Sequence, residues 1–238
     1  MSTIYPLTEE MLNDTHYLQE HIYANLQQHY YWSKSFSASF YIAQAKQGFI
    51  AVTDCFEGEE ILLPEIQKAY ALLHLEKLHK SRKAKKSIRN NSLTLEIDTN
   101  IVEIAQHLSR AYTNNWLTPK YAKMLEDTLG QDENFSVMTA YIESEGEIVA
   151  GEIGYAIGET YTSLSGFSLK SRHAQNYGTA QLILLGEYLQ AKGFLLWNLG
   201  ETTMSYKMAL GAEIYSRQAF LEEWFEASQR PAIIKTSL

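Results

Sequence analysis

The sequence predicts an α+β fold in which a mixed β-sheet is flanked by helices. Residues 135–169 contain three runs of alternating apolar residues, separated by turns at 144–146 and Gly158. Alternation of this kind is typical of half-buried strands. We therefore expect an antiparallel meander here. A strand–helix–strand unit over 161–199 follows it, and these two patterns together predict the fold class.

The unit at 161–199 is the most strongly patterned part of the chain. Tyr161, Phe167 and Leu169 share one alternating face of its first strand. The helix after it carries apolar residues at spacings of three and four, which are Leu182, Leu185, Tyr188 and Leu189. Gly193 is a typical C-terminal residue for this helix. Residues 194–199 are apolar on both faces, which predicts a central strand.

The turn into this helix is a candidate anion site. The first turn of a helix has unpaired N–H groups and a positive dipole end, and both favour phosphate. Gln175, Gly178 and Ala180 are spaced as in a pyrophosphate-binding loop, and the two small residues leave the backbone open. We predict that these three residues bind a donor phosphate. The alternative is an ordinary strand–helix turn.

The remaining elements are predicted from periodicity and capping residues. We expect a small N-terminal α/β domain at 1–75 and a catalytic domain at 76–238. Thr118 and Pro119 are a helix N-cap and first helical residue. The other expected elements are helices through Tyr31, at 39–48, 78–89 and 100–112, strands at 49–53, 61–64, 69–75 and 93–98, an acidic turn at 54–60, and an apolar strand or arm ending the tail from Phe220.

Composition narrows the possible classes of protein. The chain has 238 residues, of which 45% are apolar and 20% charged, values typical of a soluble globular protein. No segment reaches the length of a membrane span, and no secretion signal is visible. The single cysteine, Cys55, excludes an internal disulfide and a cysteine-based zinc site. We expect a cytoplasmic protein that holds no metal and binds no membrane.

One strongly basic segment interrupts an otherwise acidic sequence. The formal net charge is −8, yet six of the 20 basic residues lie between positions 80 and 89 with no acid among them. They are Lys80, Arg82, Lys83, Lys85, Lys86 and Arg89. Such a cluster is suited to binding phosphates, and we predict this role for Arg82, Lys83, Lys85 and Lys86. The alternative is a solvated helix face.

Several short motifs occur in an order that resembles the leucyl/phenylalanyl-tRNA–protein transferase family, within the GNAT-like acyltransferase superfamily. The resemblance covers roughly residues 40 to 221. The motifs are Gln44–Ile50, Leu78–Arg89, Trp116-Leu117-Thr118-Pro119, Gly166-Phe167-Ser168 and Leu210-Gly211-Ala212-Glu213. The resemblance implies a divergent member with a GNAT-like sheet, which moves an amino acid from aminoacyl-tRNA to an amine.

The chain departs from the family pattern at functional positions. Leu164 stands where the family has an acid before its Met-Phe-Ser motif. Leu199 and Glu201 stand where it has Asp and Gln. These departures leave three functions open: an aminoacyl-tRNA-dependent transferase, an acyl-CoA-dependent GNAT N-acyltransferase, and a binding protein that has lost the chemistry.

Acyl transfer to an amine needs a proton acceptor, a proton donor and alignment of the reactants. We predict that Glu201 accepts the amine proton, that Asn198 orients an amide, and that Tyr206 protonates the leaving atom. Ser165, Phe167 and Trp197 are predicted to contact substrate. No cofactor is expected, unless acyl-CoA is the donor. The expected partners are aminoacyl-tRNA and an amine acceptor, either a peptide or a small molecule.

Overall fold

The structure is a computed structural model that describes residues 4–169 and 176–234. Its centre is a seven-stranded sheet with the order β11-β5-β10-β9-β8-β7-β6. The strands of this sheet are β5 (Ala69–His74), β6 (Leu95–Asp98), β7 (Phe135–Ser144), β8 (Glu147–Ile157), β9 (Thr160–Ser168), β10 (Leu196–Asn198) and β11 (Glu213–Ser216). Two small pairs accompany it: β1 (Tyr5–Pro6) with β2 (Tyr31–Trp32), and β3 (Ile50–Phe56) with β4 (Glu59–Glu65).

Nine α-helical segments occur in the described part of the chain. They are α1 (Glu9–Asn13), α2 (Thr15–Tyr17), α3 (Ala38–Lys46), α4 (Arg82–Asn90), α5 (Ile101–Ala111), α6 (Pro119–Asp127), α7 (Tyr177–Lys192), α8 (Ser205–Ala209) and α9 (Arg217–Ser228). A π-helical stretch, Leu18–Tyr23, continues α2, and a short 3₁₀ turn, Leu75–Lys77, follows β5. Thr118 caps α6 as predicted, because its hydroxyl accepts the Tyr121 N–H.

The sheet is mixed, as predicted. Strands β6 to β9 are antiparallel neighbours, and the chain then crosses through α7 to β10. β10 pairs parallel with β9 and antiparallel with β5. All three residues of β10 are buried, which confirms that it is a central strand. The α+β class and the sheet flanked by helices are therefore confirmed.

Two apolar layers cover the two faces of the sheet. Along β5, Tyr70 and Leu72 point to one layer, while Ala71 and Leu73 point to the other. The first layer includes residues of α3, α5, α6 and α9, and the second includes residues of α4 and α7. This alternation is the one that a strand buried on both sides requires.

The N-terminal segment packs against the large sheet through one buried arginine. Arg217, at the start of α9, is 1% exposed, and its guanidinium donates to the backbone oxygens of Ile22, Asn25 and Gln67, among others. Because β5 also pairs within the large sheet, residues before position 75 contribute directly to it. The division into domains at 1–75 and 76–238 stays a prediction.

The tail from Phe220 begins within helix α9, because Phe220, Leu221 and Trp224 are buried at helical spacing. The apolar strand or arm predicted for the end of the tail extends to residues 235–238, which lie outside the described residues. Two other local predictions are wrong. The region around Tyr31 is strand β2, so the N-terminal helices end earlier. The acidic segment 54–60 lies mostly within β3 and β4, and its turn is confined to residues 57 and 58, both with positive φ.

The helices within residues 4–169 and 176–234 are short relative to a bilayer. The longest of them, α7, has 16 residues. None combines the length and the apolar character that crossing a membrane requires.

Candidate functional site

A cavity of about 700 Å³ lies beside β9, next to the middle of β8 and the end of β10. β9 pairs with β10 only over residues 160–162, and then continues alone on that side to Ser168. The chain leaves β10 at Gly200, whose φ of +70° lets it turn away. A bulge at Leu164 also shifts the pairing of β8 with β9. The sheet therefore opens here, and the volume of the opening is in the range of ligand sites.

The walls of the cavity come from segments far apart in sequence. Its polar and charged members among the described residues are Glu65, Gln67, Tyr112, Asn114, Asn115, Glu152, Ser163, Ser165, Ser168, Thr179, Gln181, Glu201, Tyr206 and Lys207. The apolar part includes residues of β3, β9 and α7. Acidic groups outnumber the single lysine, so the cavity favours a cationic or amine-bearing ligand over most of its surface.

Glu152, in the middle of β8, is the buried carboxylate of this cavity. Its side chain is 3% exposed. Its Oε1 accepts hydrogen bonds from the Ser163 hydroxyl at 2.7 Å and the Tyr161 hydroxyl at 3.0 Å. Ser163 in turn accepts from the indole Nε1–H of Trp197 at 2.9 Å. The carboxylate is thus held in place by strands on both sides of the opening.

Burial of Glu152 changes its acidity. Loss of solvation raises the pKa of this carboxyl from 4.5 to about 7, although the hydrogen bonds from Ser163 and Tyr161 oppose that rise. A carboxyl group with a pKa near neutrality can both accept and release a proton under cellular conditions. This is the property expected of a general base.

Tyr206, in α8, also lines the cavity and is 44% exposed. Burial of its ring edge, together with the nearby charges of Glu152 and Glu201, raises the pKa of its hydroxyl to about 12. The phenol therefore keeps its proton at neutral pH. It is available as a hydrogen-bond donor to an oxygen that develops negative charge.

Lys207 follows Tyr206 and is 5% exposed. Its Nζ donates to the backbone oxygen of Glu201 at 2.5 Å. Burial lowers the pKa of this ammonium group, and the charge of Glu201 only partly offsets that effect.

The structure brings five of the predicted site residues to the cavity wall. These are Glu201, Tyr206, Ser165, Phe167 and Gly178. Glu201 differs from the prediction in its environment. Its carboxylate is bound to the Thr203 N–H and hydroxyl, and these bonds lower the pKa of the carboxyl. The roles of all five stay predictions, and Glu201 is a weaker base than Glu152.

Three other predicted residues do not line the cavity. Asn198, Trp197 and Ala180 are almost fully buried within the packed sheet and helix. Asn198 uses its Oδ1 to accept the Gly200 N–H and so closes the turn after β10. Trp197 reaches the site only through its bond to Ser163. The physical reason for Asn198 and Trp197 is that β10 is covered on both faces and paired at both edges. Ala180 is buried because it packs into an apolar cluster on α7.

The predicted phosphate loop is described only in part. Gln175 lies outside the described residues. Gly178 is the second residue of α7, and a Cβ there would lie 3.1 Å from Cβ of Ser168. The absence of a side chain therefore keeps α7 close to the end of β9.

The basic segment forms helix α4, one turn shorter at its start than predicted. Ser81 caps it, while Ala84 and Ser87 face the protein. The four predicted cations, Arg82, Lys83, Lys85 and Lys86, are exposed, and Lys80 pairs with Glu187 of α7 at 2.7 Å. α4 packs along α7, with Ile88 in the same apolar cluster as Tyr177. The helix therefore presents a cationic face beside the helix whose N-terminus borders the cavity.

Sequence reasoning missed Glu152 and Lys207. Glu152 was not singled out, because a charged residue in an alternating strand normally faces solvent. A signal was available, since Gly151, Gly154 and Gly166 leave unusual space around it in two paired strands. Lys207 gave no such signal, because lysine in a short polar helix is normally exposed.

The fold and the site define an α+β protein with a ligand-sized cavity beside a buried carboxylate. Comparison with known sequences identifies the family. The sequence model described as "Leucyl/phenylalanyl-tRNA protein transferase" matches residues 72–224. The chain belongs to this family, which confirms the resemblance inferred from its motifs.

Individual relatives are distant. A leucyl/phenylalanyl-tRNA--protein transferase from Maridesulfovibrio salexigens is 26% identical over 170 residues, which cover 68% of this chain and 66% of that protein. One from Hahella chejuensis is 29% identical over 155 residues, covering 63% and 62%. The chain thus spans slightly less than two thirds of the length of these relatives.

Solved structures show more remote similarity. FemX aligns with a TM-score of 0.49 and 11% identity over 63% of this chain and 60% of its own. A GCN5-related N-acetyltransferase from Kribbella flavida aligns with a TM-score of 0.37 and 17% identity, over 61% and 54%.

Proposed function

We propose that this protein transfers an aminoacyl group from aminoacyl-tRNA to an amine acceptor, such as a protein N-terminus or a small amine. The observation that carries the proposal is the buried carboxylate of Glu152 in a cavity built within the residues that match the transferase family. The names of the two relatives support the donor, since both are leucyl/phenylalanyl-tRNA--protein transferases. Use of aminoacyl-tRNA also implies a cytoplasmic protein.

Glu152 serves as the proton acceptor in the proposed reaction. The amine nitrogen attacks the ester carbonyl carbon, and its proton passes to the Glu152 carboxylate. The C–O bond to the ribose then breaks, and the leaving oxygen takes the proton of the Tyr206 hydroxyl. Proton exchange with water restores Glu152 and Tyr206, so the products are an amide and the free ribose hydroxyl.

Glu201 remains the second candidate for the proton acceptor. It lines the same cavity, but its bonds to Thr203 lower the pKa of its carboxyl and reduce its basicity. Glu152, with a pKa of about 7, is better matched to accept a proton near neutral pH.

Helix α4 is the proposed contact with the tRNA backbone. Its four exposed cations stand on one short helix. Contacts of lysine and arginine with phosphates are independent of base sequence and weaken as salt increases. The overall charge of −8 would repel nucleic acid elsewhere, so we expect binding to be confined to this face.

Acyl-CoA is the alternative donor, because Gly178 lies where the N-terminus of α7 borders the cavity. Calorimetry at fixed low salt with charged tRNA and acetyl-CoA, measured side by side, separates the two. We expect salt-sensitive binding of tRNA and none of acetyl-CoA. Saturable binding of acetyl-CoA alone would assign an acyl-CoA-dependent N-acyltransferase. Binding of neither ligand would favour a non-catalytic homologue.

A further inference from the structure

Lys207 presents an unusual electrostatic arrangement inside the cavity. The residue is 5% exposed, yet the hydrogen bond that its Nζ makes among the described residues is to a backbone oxygen, that of Glu201. None of the ion pairs formed in residues 4–169 and 176–234 involves it. An ammonium group has three N–H donors, so two remain for another partner.

A buried ammonium without a carboxylate partner is costly. Removing an ion from water is strongly unfavourable unless an opposite charge compensates. The same loss of solvation lowers the pKa of the Lys207 ammonium group. Such a group is well placed to bind an anion, because an arriving negative charge would recover much of the energy lost on burial.

The other charged residues of the cavity restrict an anion to the neighbourhood of Lys207. Glu65, Glu152 and Glu201 also line the cavity, and Lys207 is the one cation among its described lining residues. An anion would therefore be repelled from most of the wall and attracted to one point. An amine would be favoured near the carboxylates. The cavity thus separates the place of an anionic group from that of the reacting amine.

The position of Lys207 relative to Tyr206 suggests which anion binds. The two residues are consecutive in α8 and both line the cavity. Consecutive helical residues point about 100° apart, and their Cα atoms are about 3.8 Å apart. A nucleotide esterified on its ribose carries the ester at one side of the sugar and the 5′-phosphate at the other. Two side chains that leave one turn of helix in different directions can contact two separate groups of one ligand, and these are the two groups that a single nucleotide offers.

We propose that Lys207 binds the 5′-phosphate of the donor's 3′-terminal nucleotide and so positions its ester beside Tyr206 and Glu152. The identity of the donor rests on the proposed function. The recognition itself depends only on a phosphate attached to a ribose.

A binding experiment tests the phosphate contact without catalysis. Calorimetry compares AMP with adenosine, which lacks the phosphate, for the wild type, Lys207→Met and Lys207→Arg. Lys123→Met, which removes an exposed lysine paired with Asp127, is the control. We expect the wild type and the control to prefer AMP by about tenfold or more, as for one charge-assisted hydrogen bond. Lys207→Met should lose this preference and Lys207→Arg should keep part of it.

A transfer experiment then separates this inference from the proposed function. The donors are 3′-aminoacyl-adenosine with and without a 5′-phosphate, and the acceptor is a peptide. If transfer occurs but Lys207→Met lowers kcat/KM equally for both donors, the inference is wrong while the function stands. If the AMP preference depends on Lys207 but no donor is used, the phosphate site stands and the function fails.

Two further results would overturn the inference directly. One is equal binding of AMP and adenosine by the wild type, a measurement that needs no variant. The other is binding of acetyl-CoA that depends on Lys207 while AMP gains nothing over adenosine. That pattern would assign the lysine to a phosphate of coenzyme A.

Discussion

The hydroxyl of Ser163 lies 2.7 Å from Oε1 of Glu152. Ser163 belongs to β9 and Glu152 to β8, and the same hydroxyl accepts the indole N–H of Trp197 from β10. Three neighbouring strands therefore fix the position of one carboxylate at the edge of the cavity. Because Tyr161 is fully buried and Ser163 is itself bonded to Trp197, the carboxylate is held in one orientation before any substrate binds.

The first prediction concerns the proton acceptor. Glu152→Gln keeps an oxygen that can accept from Ser163 and Tyr161, but it removes the basic group. We expect kcat for aminoacyl transfer to fall by roughly 10²- to 10⁴-fold, as is typical when a general base is lost. Steady-state kinetics with saturating donor measure this.

The matched control is Glu201→Gln, which removes the other carboxylate of the same cavity. Its kcat should stay within about threefold of the wild type, since Glu201 is already engaged with Thr203. A large loss in Glu201→Gln with normal activity in Glu152→Gln would reverse the assignment of the two residues.

The second prediction concerns stability as a function of pH. The pKa of Glu152 is about 7 in the folded protein, above its ordinary value of 4.5. The folded state therefore binds more protons than the unfolded state between these values. The free energy of unfolding should fall as pH rises from about 4.5 to about 7, by on the order of 3 kcal/mol from this group.

Glu152→Gln cannot titrate and should lack this component. Urea unfolding at a series of pH values, for the wild type and the variant, measures the difference between the two curves. Curves that run parallel from about pH 4.5 to about 7 would show that Glu152 does not titrate in that window.

The third prediction concerns helix α4. Replacement of Arg82, Lys83, Lys85 and Lys86 by Ala should weaken tRNA binding at low salt. It should also make the slope of log K against log salt less steep by up to about 3, because up to four phosphate contacts are lost. Filter binding at several salt concentrations gives both quantities.

A control variant removes the same number of charges elsewhere on the surface. It replaces four exposed lysines outside α4, namely Lys34, Lys77, Lys123 and Lys192, by Ala. Its salt slope should equal that of the wild type. Equal losses in both variants would show that tRNA responds only to net charge.

The fourth prediction concerns Gly154. A Cβ at this position would collide with the hydroxyl oxygen of Tyr161, which donates to Glu152. Gly154→Ala should therefore displace Tyr161, lower the free energy of unfolding by about 1–3 kcal/mol and reduce transfer. Thermal unfolding and kinetics measure the two effects.

Gly146→Ala is suited as its control. Gly146 lies in the turn between β7 and β8 and has a φ of +80°, with open space around its Cβ position. Alanine there introduces strain of about 1–2 kcal/mol without any contact with Tyr161. This variant should lose stability but keep its kcat. Full activity in Gly154→Ala would show that Tyr161 does not support the site.

Much of the fold was predictable because its strands carry clear local patterns. The alternation in β7 to β9 and the glycine after α7 were sufficient to place the meander, the crossover helix and the central strand β10. Helix α9 was not predicted, because its apolar residues from Phe220 onward suit either period over a short window. Burial against Tyr70 decides for a helix, and that contact is distant in sequence.

The sequence predicted only those site residues that come directly after the end of a strand. Glu201 and Tyr206 come just after β10, so their place at the opening followed from the order of elements. Glu152 lies in mid-strand, and its importance depends on Ser163 and Trp197 arriving from two other strands. Trp197 was predicted to contact substrate, whereas tertiary packing buries its side chain against α7.

The most direct test of the central claim is the product of a single reaction. The wild-type protein is incubated with a mixture of aminoacyl-tRNAs, acetyl-CoA and a peptide that has a free α-amine, and the peptide is analysed by mass spectrometry. We predict a peptide extended by one amino acid through an amide bond, and no such product with Glu152→Gln. An acetylated peptide with no aminoacylated product would contradict the assignment of aminoacyl-tRNA as the donor.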